Sequence, residues 1–189
     1  MLTRDQALVL DRQYLKTENT IKHLIATEAI MRALARRFAP AEEDLWGLTG
    51  LLHDLDYEVM ANDQEHGIKT VALLKEASVD LPETAFRAIK AHCFDLHPEF
   101  APQSKIDWSL YICDSLTGLI TACALVHPSK KLASIETKSI LKKFKDKAFA
   151  RGTRREEIAL CEEKLGLPLP EFVELGLTAM RGVAEQLGL

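Results

Sequence analysis

Leu51-Leu52-His53-Asp54-Leu55-Asp56-Tyr57 is the stretch on which the reading turns: an apolar helix runs straight into a histidine, a carboxylate beside it and a second carboxylate two positions on. Asp and His are poor helix formers, and a carboxylate leaving a Leu-rich segment must be paired, hydrated or bound to a cation to escape a large desolvation cost. Working outward, four more residues on stretches that read as helical offer compensation: His23 upstream, and His66, His92 and Asp114 downstream. Neutral imidazole nitrogen and carboxylate oxygen suit divalent ions from Mg and Mn through Fe, Co and Ni to Zn. The six are therefore a candidate ligand set for one or two divalent metal ions, with Asp54, which has two oxygens, able to bridge a pair. Two ions so held turn a shared water into a nucleophile and clamp a phosphoryl oxygen, so no protein nucleophile is required and Asp54 becomes the catalytic residue.

The helical pattern spreads in both directions. Thr3-Arg4-Asp5-Gln6 has the form of a capping box and opens a short helix reaching about Leu15. A second helix starts near Thr17 or Asn19, and Ile21, Leu24, Ile25, Met31, Leu34 and Phe38 form a helical-period stripe that stops at Pro40, with His23 at its edge. A third follows Pro40 with Glu42, Glu43 and Asp44 in its first turn, where the dipole favours negative charge. It delivers His53-Asp54 at its C-terminal end. The polar connection Ala61 to Gln64 leads into a helix with His66 in its first turn, and Pro82-Glu83 opens another that carries His92 on its core-facing side. After a loop from His97 to Ser104, a helix from about Lys105 to Val126 is apolar nearly all round, so it should run through the centre with Asp114 as its single buried charge.

Beyond Val126 the chain turns basic: ten Lys and Arg side chains from Lys130 to Arg155 stand against Glu136 and Asp146. Thr153-Arg154-Arg155-Glu156 is a second capping-box pattern, Gly166 stops that helix, and Pro170 starts a final one. No strand, repeat or low-complexity tract is legible. The fold class is all-α, and 189 residues suffice for one core, hence a single domain spanning 1–189.

The formal net charge of -4 argues against a general nucleic-acid or membrane-surface binder. Its distribution matters more: Glu42 to Glu65 carries eight acidic side chains and no basic one, which favours cation capture, while the later basic region can neutralise an anionic substrate. The four cysteines, Cys93, Cys113, Cys123 and Cys161, form no CxxC pair and lie in apolar or helical runs, as expected of reduced, buried thiols in a cytoplasmic protein. The N-terminus lacks a basic region followed by an apolar run, so no signal peptide is expected. Only Trp108 to Val126 approaches the length of a membrane span, and Asp114 in its middle marks a buried helix instead.

His23, then His53-Asp54, then Asp114 resembles the ordered H…HD…D pattern of the HD-domain superfamily of metal-dependent phosphohydrolases, over roughly residues 17 to 127, with 128–189 as a C-terminal helical extension. The resemblance implies an all-helical bundle and hydrolysis of nucleotides or other phosphate esters. It also implies a first metal on His23, His53, Asp54 and Asp114, with His66 and His92 where two-metal members place further histidines. Three departures stand out. Asp56 and Glu58 do not fall at the spacing of the general acids of nucleotidase or stringent-response members. Cys93 replaces a second adjacent histidine, and Asn19 stands where some members have an acidic ligand.

The expectation is thus a phosphohydrolase acting on a small phosphorylated substrate, a nucleotide or related metabolite, with no membrane or nucleic-acid partner. Two rivals use the same residues: a di-iron oxygenase, and a binding or regulatory module without turnover. For single residues the plainer readings are a packing role for Cys93, structural or surface roles for His97 and His127, snorkelling for Lys69 and Lys90, and a solvated face for Lys130 to Arg155. A helical scaffold without metal would leave Asp114 without a partner.

Overall fold

The structure, a computed structural model, describes residues 2–189, so Met1, the first residue of the stretch read for a targeting signal, lies outside it. Helices run throughout, and no strand occurs among the described residues. In chain order the longer ones are α1 (Arg4–Tyr14), α2 (Glu18–Phe38), α3 (Glu43–Leu52), α4 (Ile68–Glu76), α5 (Glu83–Ala91), α6 (Lys105–Val126), α7 (Thr137–Lys145), α8 (Arg155–Ala159), α9 (Leu169–Gly182) and α10 (Ala184–Leu187).

Local chemistry sets the ends of these helices. The Thr3–Gln6 capping box forms on α1, and Ser104 and Asp107 make a second at the start of α6. Pro40 opens a 3-10 turn that joins α2 to α3 as a helical hairpin, the most extensive helix pair in the molecule. A Cβ on Gly50 would lie 2.9 Å from Met31 Cγ and 3.1 Å from the Thr27 carbonyl, so glycine is what lets these two backbones approach. Leu24, Ile30, Leu34, Leu51, Leu52 and Leu55 are fully buried along the resulting seam. Each such side chain contributes about 1.5–3 kcal/mol of transfer free energy, which is ample to hold the end of α3, and with it His53 and Asp54, against α2.

α6 packs against α2, α5, α7, α8 and α9, and most of its residues are buried. By length and apolarity it is the one described helix that could cross a membrane, and it forms the centre of the core instead. Asp114 is not its single buried charge. Asp107 is completely buried, accepting hydrogen bonds from the Gln103 and Ser104 amides and pairing with Arg87 at 3.0 Å, whereas 16% of the Asp114 side chain stays exposed.

Two local expectations are corrected. Thr153 does not cap α8: the helix starts one residue later than the capping-box pattern requires, so Arg154 occupies the cap position and no side chain closes it. His66 precedes α4 rather than lying in its first turn. It closes the 3-10 turn Asp63–Glu65, and Gly67, at φ 73°, then starts the helix. Gly166 ends the π turn after α8 in the left-handed conformation that favours glycine. All four cysteines are free and buried.

Candidate metal centre

Five segments deliver six side chains to one place. His23 comes from the first half of α2, His53 from the cap position ending α3 with Asp54 next to it, His66 from the turn before α4, His92 from the cap position ending α5, and Asp114 from the middle of α6. All six candidate residues therefore meet. Asp54 is the hub: its Oδ1 lies 3.3 Å from His53 Nε2, 3.4 Å from His66 Nε2 and 3.2 Å from His92 Nε2, and its Oδ2 lies 3.6 Å from His23 Nε2. Asp114 Oδ1 adds contacts of 2.9 Å to His23 Nε2 and 3.7 Å to His53 Nε2. Donors about 2.0–2.2 Å from a common ion stand roughly 3–3.5 Å apart, which is the spacing found here.

The other ring nitrogens show why this cluster could hold a cation. Nδ1 of His53 donates to the Gly50 carbonyl at 2.8 Å, Nδ1 of His92 to the Ile89 carbonyl, and Nδ1 of His66 to Asp56 Oδ1 at 2.8 Å. Thr117 Oγ1 spends its one proton on the Asp114 carbonyl at 2.7 Å, so it accepts from His23 Nδ1 at 3.0 Å. With every Nδ1 proton committed outward, each ring in its neutral form presents an Nε2 lone pair inward, the arrangement that orients metal-ligating histidines. Lone pairs facing carboxylate oxygens repel unless something positive lies between them. Four imidazolium rings are a poor answer, since the His23–His53, His53–His92 and His66–His92 ring centroids are only 5.2, 4.9 and 4.9 Å apart. His53 Nε2 is buried with no hydrogen bond at all. The donor set fits one or two divalent ions.

The electrostatics agree. Burial lowers the His53 pKa, but the charge of Asp54 and then Asp114 outweighs it and pushes it up to about 9. Burial alone would favour neutral carboxyl groups; instead the facing imidazoles hold Asp54 and Asp114 below the usual carboxylate range. Burial dominates at His92 and depresses it, whereas at His66 the hydrogen bond to Asp56 overcomes burial and raises it. The cluster draws positive charge to its middle.

The roles of two neighbours, Asp56 and Arg154, escaped the sequence reading, while His97 takes the structural role expected of it. Asp56 is fully buried and accepts from His66 Nδ1, from the Gly67 amide at 2.8 Å and from the Thr70 amide at 3.0 Å, so it fastens the whole His66 turn. His97, read as structural or surface, is buried and donates from Nε2 to the His66 carbonyl at 3.1 Å. Arg154, read as part of a solvated basic face, reaches Asp114 Oδ2 at 3.3 Å. Asp114 accordingly has a counter-charge of its own, contrary to the expectation that only a metal could supply one.

The remaining candidates take the plainer roles. Cys93 Sγ is close to His66 and His92, yet it lies 3.3 Å from His92 Nε2 and 3.7 Å from Nδ1. That near-equality puts the sulfur over the ring and not along the Nε2 lone pair. Lys69 bonds the Val59 carbonyl and Glu65, and Lys90 stacks on Phe100. On α7 only Ile140 is buried; Lys138, Lys142 and Lys145 are exposed and Lys143 lies over the Phe149 ring.

The centre opens into a cavity of about 460 Å³ bounded by Asn19, Thr20, His23, Asp54, Tyr57, His66, Asp114 and Arg154. A second pocket of about 370 Å³ adjoins it across His23, Asp114 and Arg154, floored by residues Ala150 to Thr153. Among known proteins, a family model described as HD domain matches residues 20–119, just over half of the chain. No curated protein and no solved structure matches.

Proposed function

The chain belongs to the HD-domain family, and from that premise we propose that it is a metal-dependent phosphohydrolase acting on a small phosphate ester, a nucleotide or related metabolite, in the cavity beside Asp54. The observation that carries this reading is the convergence of four imidazole Nε2 atoms on one carboxylate, each ring locked through Nδ1. His23, His53, Asp54 and Asp114 would hold the first ion, and His66 and His92 a second with Asp54 as the bridge. Metal held there would supply an ionised water at neutral pH and a positive clamp for phosphoryl oxygens.

The chain's own part is positioning. Asp54 and Asp114 set the charge of the site, Asp56 and Thr117 hold the ring planes of His66 and His23, and the partly exposed Tyr57 forms a wall where a substrate enters. The size of the cavity matches a small molecule better than a polymer, and its polar floor suits a phosphoryl group.

The test is phosphate release from a panel of phosphomonoesters and nucleotides by metal-replete protein, compared with Asp54→Ala. Turnover in the wild type and none in the variant would support the reading. The same donors also suit two irons, so bound iron with oxygen-dependent turnover, and no phosphate release, would replace it with an oxygenase. Tight ligand binding without turnover would leave a binding module.

A further inference from the structure

Arg154 comes from the connection before α8, beyond the span that matches the family model, yet it forms part of the wall of both pockets at the metal centre. Its guanidinium is surrounded by three carboxylates. NH2 donates to Asp114 Oδ2 at 3.3 Å, NH1 donates to Asp95 Oδ2 at 3.5 Å, and Nε stands 2.8 Å from Glu157 Oε1. The last contact is an ion pair too oblique for a hydrogen bond, since Glu157 Oε1 has no hydrogen-bond partner. A guanidinium has five N–H groups, and here only two are used, both in long bonds. Glu157 itself is fixed from behind: it is buried on α8 and its Oε2 accepts from Ser115 at 2.7 Å. The arginine is thus anchored in place, 39% of its side chain remains exposed, and it lines the cavity together with Asp54 and Asp114.

Resting on the phosphohydrolase reading, we propose that Arg154 is a substrate-contacting residue that binds an oxygen of a terminal phosphate at the metal centre, and that it makes the site selective for phosphomonoesters. A terminal phosphate has three non-bridging oxygens, enough to engage two ions and still leave one for a guanidinium. A phosphodiester has only two and carries one negative charge fewer, so it offers Arg154 a poorer acceptor. Charge-assisted, planar donation to phosphate is the contact for which arginine geometry is suited. The adjoining pocket over Ala150 to Thr153 is then the place for the leaving group, on the far side of Arg154 and Asp114 from Tyr57.

The experiment measures binding of inorganic phosphate and of dimethyl phosphate to the full-length, metal-loaded protein by calorimetry, with metal content determined on each sample. The variants are Arg154→Met, Arg154→Lys and the double variant Arg154→Met/Glu157→Gln, which removes the buried carboxylate along with its counter-charge if the single variant does not fold. The expected result is that removing the guanidinium weakens phosphate binding about 10- to 100-fold, with Arg154→Lys between, while dimethyl phosphate affinity falls by less and metal content stays at the wild-type level. An equal loss for both ligands would overturn the selectivity. Phosphate affinity within about twofold of wild type in Arg154→Met or the double variant would overturn the proposal. So would loss of metal along with phosphate, because Arg154 would then act only by positioning Asp114. Failure of the metal-loaded wild type to bind phosphate would be a different result, removing the phosphohydrolase reading and this proposal with it.

Discussion

Asp56 Oδ1 and His66 Nδ1 are joined by a 2.8 Å hydrogen bond between a completely buried carboxylate and a half-buried ring. The same carboxylate receives two backbone amides of the next turn, so one side chain determines both the tautomer of His66 and the path of residues 66–70. Replacing Asp56 with Asn keeps the shape but places an NH2 group where an acceptor is needed. Asp56→Asn should lose about 1–3 kcal/mol of stability and bind metal about 10- to 100-fold more weakly. Thermal melts of the metal-free protein and chelator competition measure the two effects separately, and an unchanged metal affinity would sever Asp56 from the centre.

His66 and His92 touch only Asp54 among the two cluster carboxylates, whereas His23 and His53 touch both Asp54 and Asp114. Substituting alanine for His66 or His92 should therefore remove one equivalent of metal and leave the other. Equal stoichiometry in wild type and both variants would refute a second ion.

Gly67 has φ 73°, and a Cβ there would stand 3.0 Å from both Cys93 Sγ and the Ile89 carbonyl. Gly67→Ala should cost about 1–3 kcal/mol from backbone strain alone, and it should displace His66 next to it. Weakened binding of the second equivalent with the first unaffected is the expected titration, and a melting temperature equal to wild type would contradict the strain.

Metal entry competes with a proton on His53, whose pKa in the metal-free protein is raised from 6.5 to about 9 by Asp54 and Asp114 against the effect of burial. Below that pH an entering ion must displace the proton, so the logarithm of apparent metal affinity should rise by up to about one per pH unit through neutrality and level off near pH 9. The linkage to folding has the same sign. A raised histidine pKa stabilises the metal-free fold below its unfolded value of 6.5, and that contribution is lost as pH rises through about 9. Melting temperatures of metal-free protein should fall across that window, and metal-loaded protein should not follow. A metal affinity that is flat from pH 6 to 8 would exclude a proton on His53 as the competitor.

Much of this architecture is legible along the chain because it is local. Pro40 and Pro82 mark helix starts, the apolar period of α2 is unbroken from Ile21 to Phe38, and Asp114 stands out as a charge inside an apolar helix. What escaped the reading depends on distance in sequence. Arg154 meets Asp114 across 40 residues, and neither helical period nor capping pattern carries a trace of that contact. Asp56 was visible as an acid near the dipeptide, yet its role depends on a turn that returns ten to fourteen residues later. The structural role of His97 was legible and its partner was not, because the His66 carbonyl it supports lies 31 residues away.

The most direct measurement is elemental analysis of protein purified without chelators, for wild type and Asp54→Ala, alongside far-UV circular dichroism of both. Near two equivalents of divalent metal per chain in the wild type, lost in a variant that remains helical, is the result predicted. A wild type that takes up no metal, even after incubation with excess divalent ions, would contradict the metal centre and reduce the six side chains to the packing of a helical bundle.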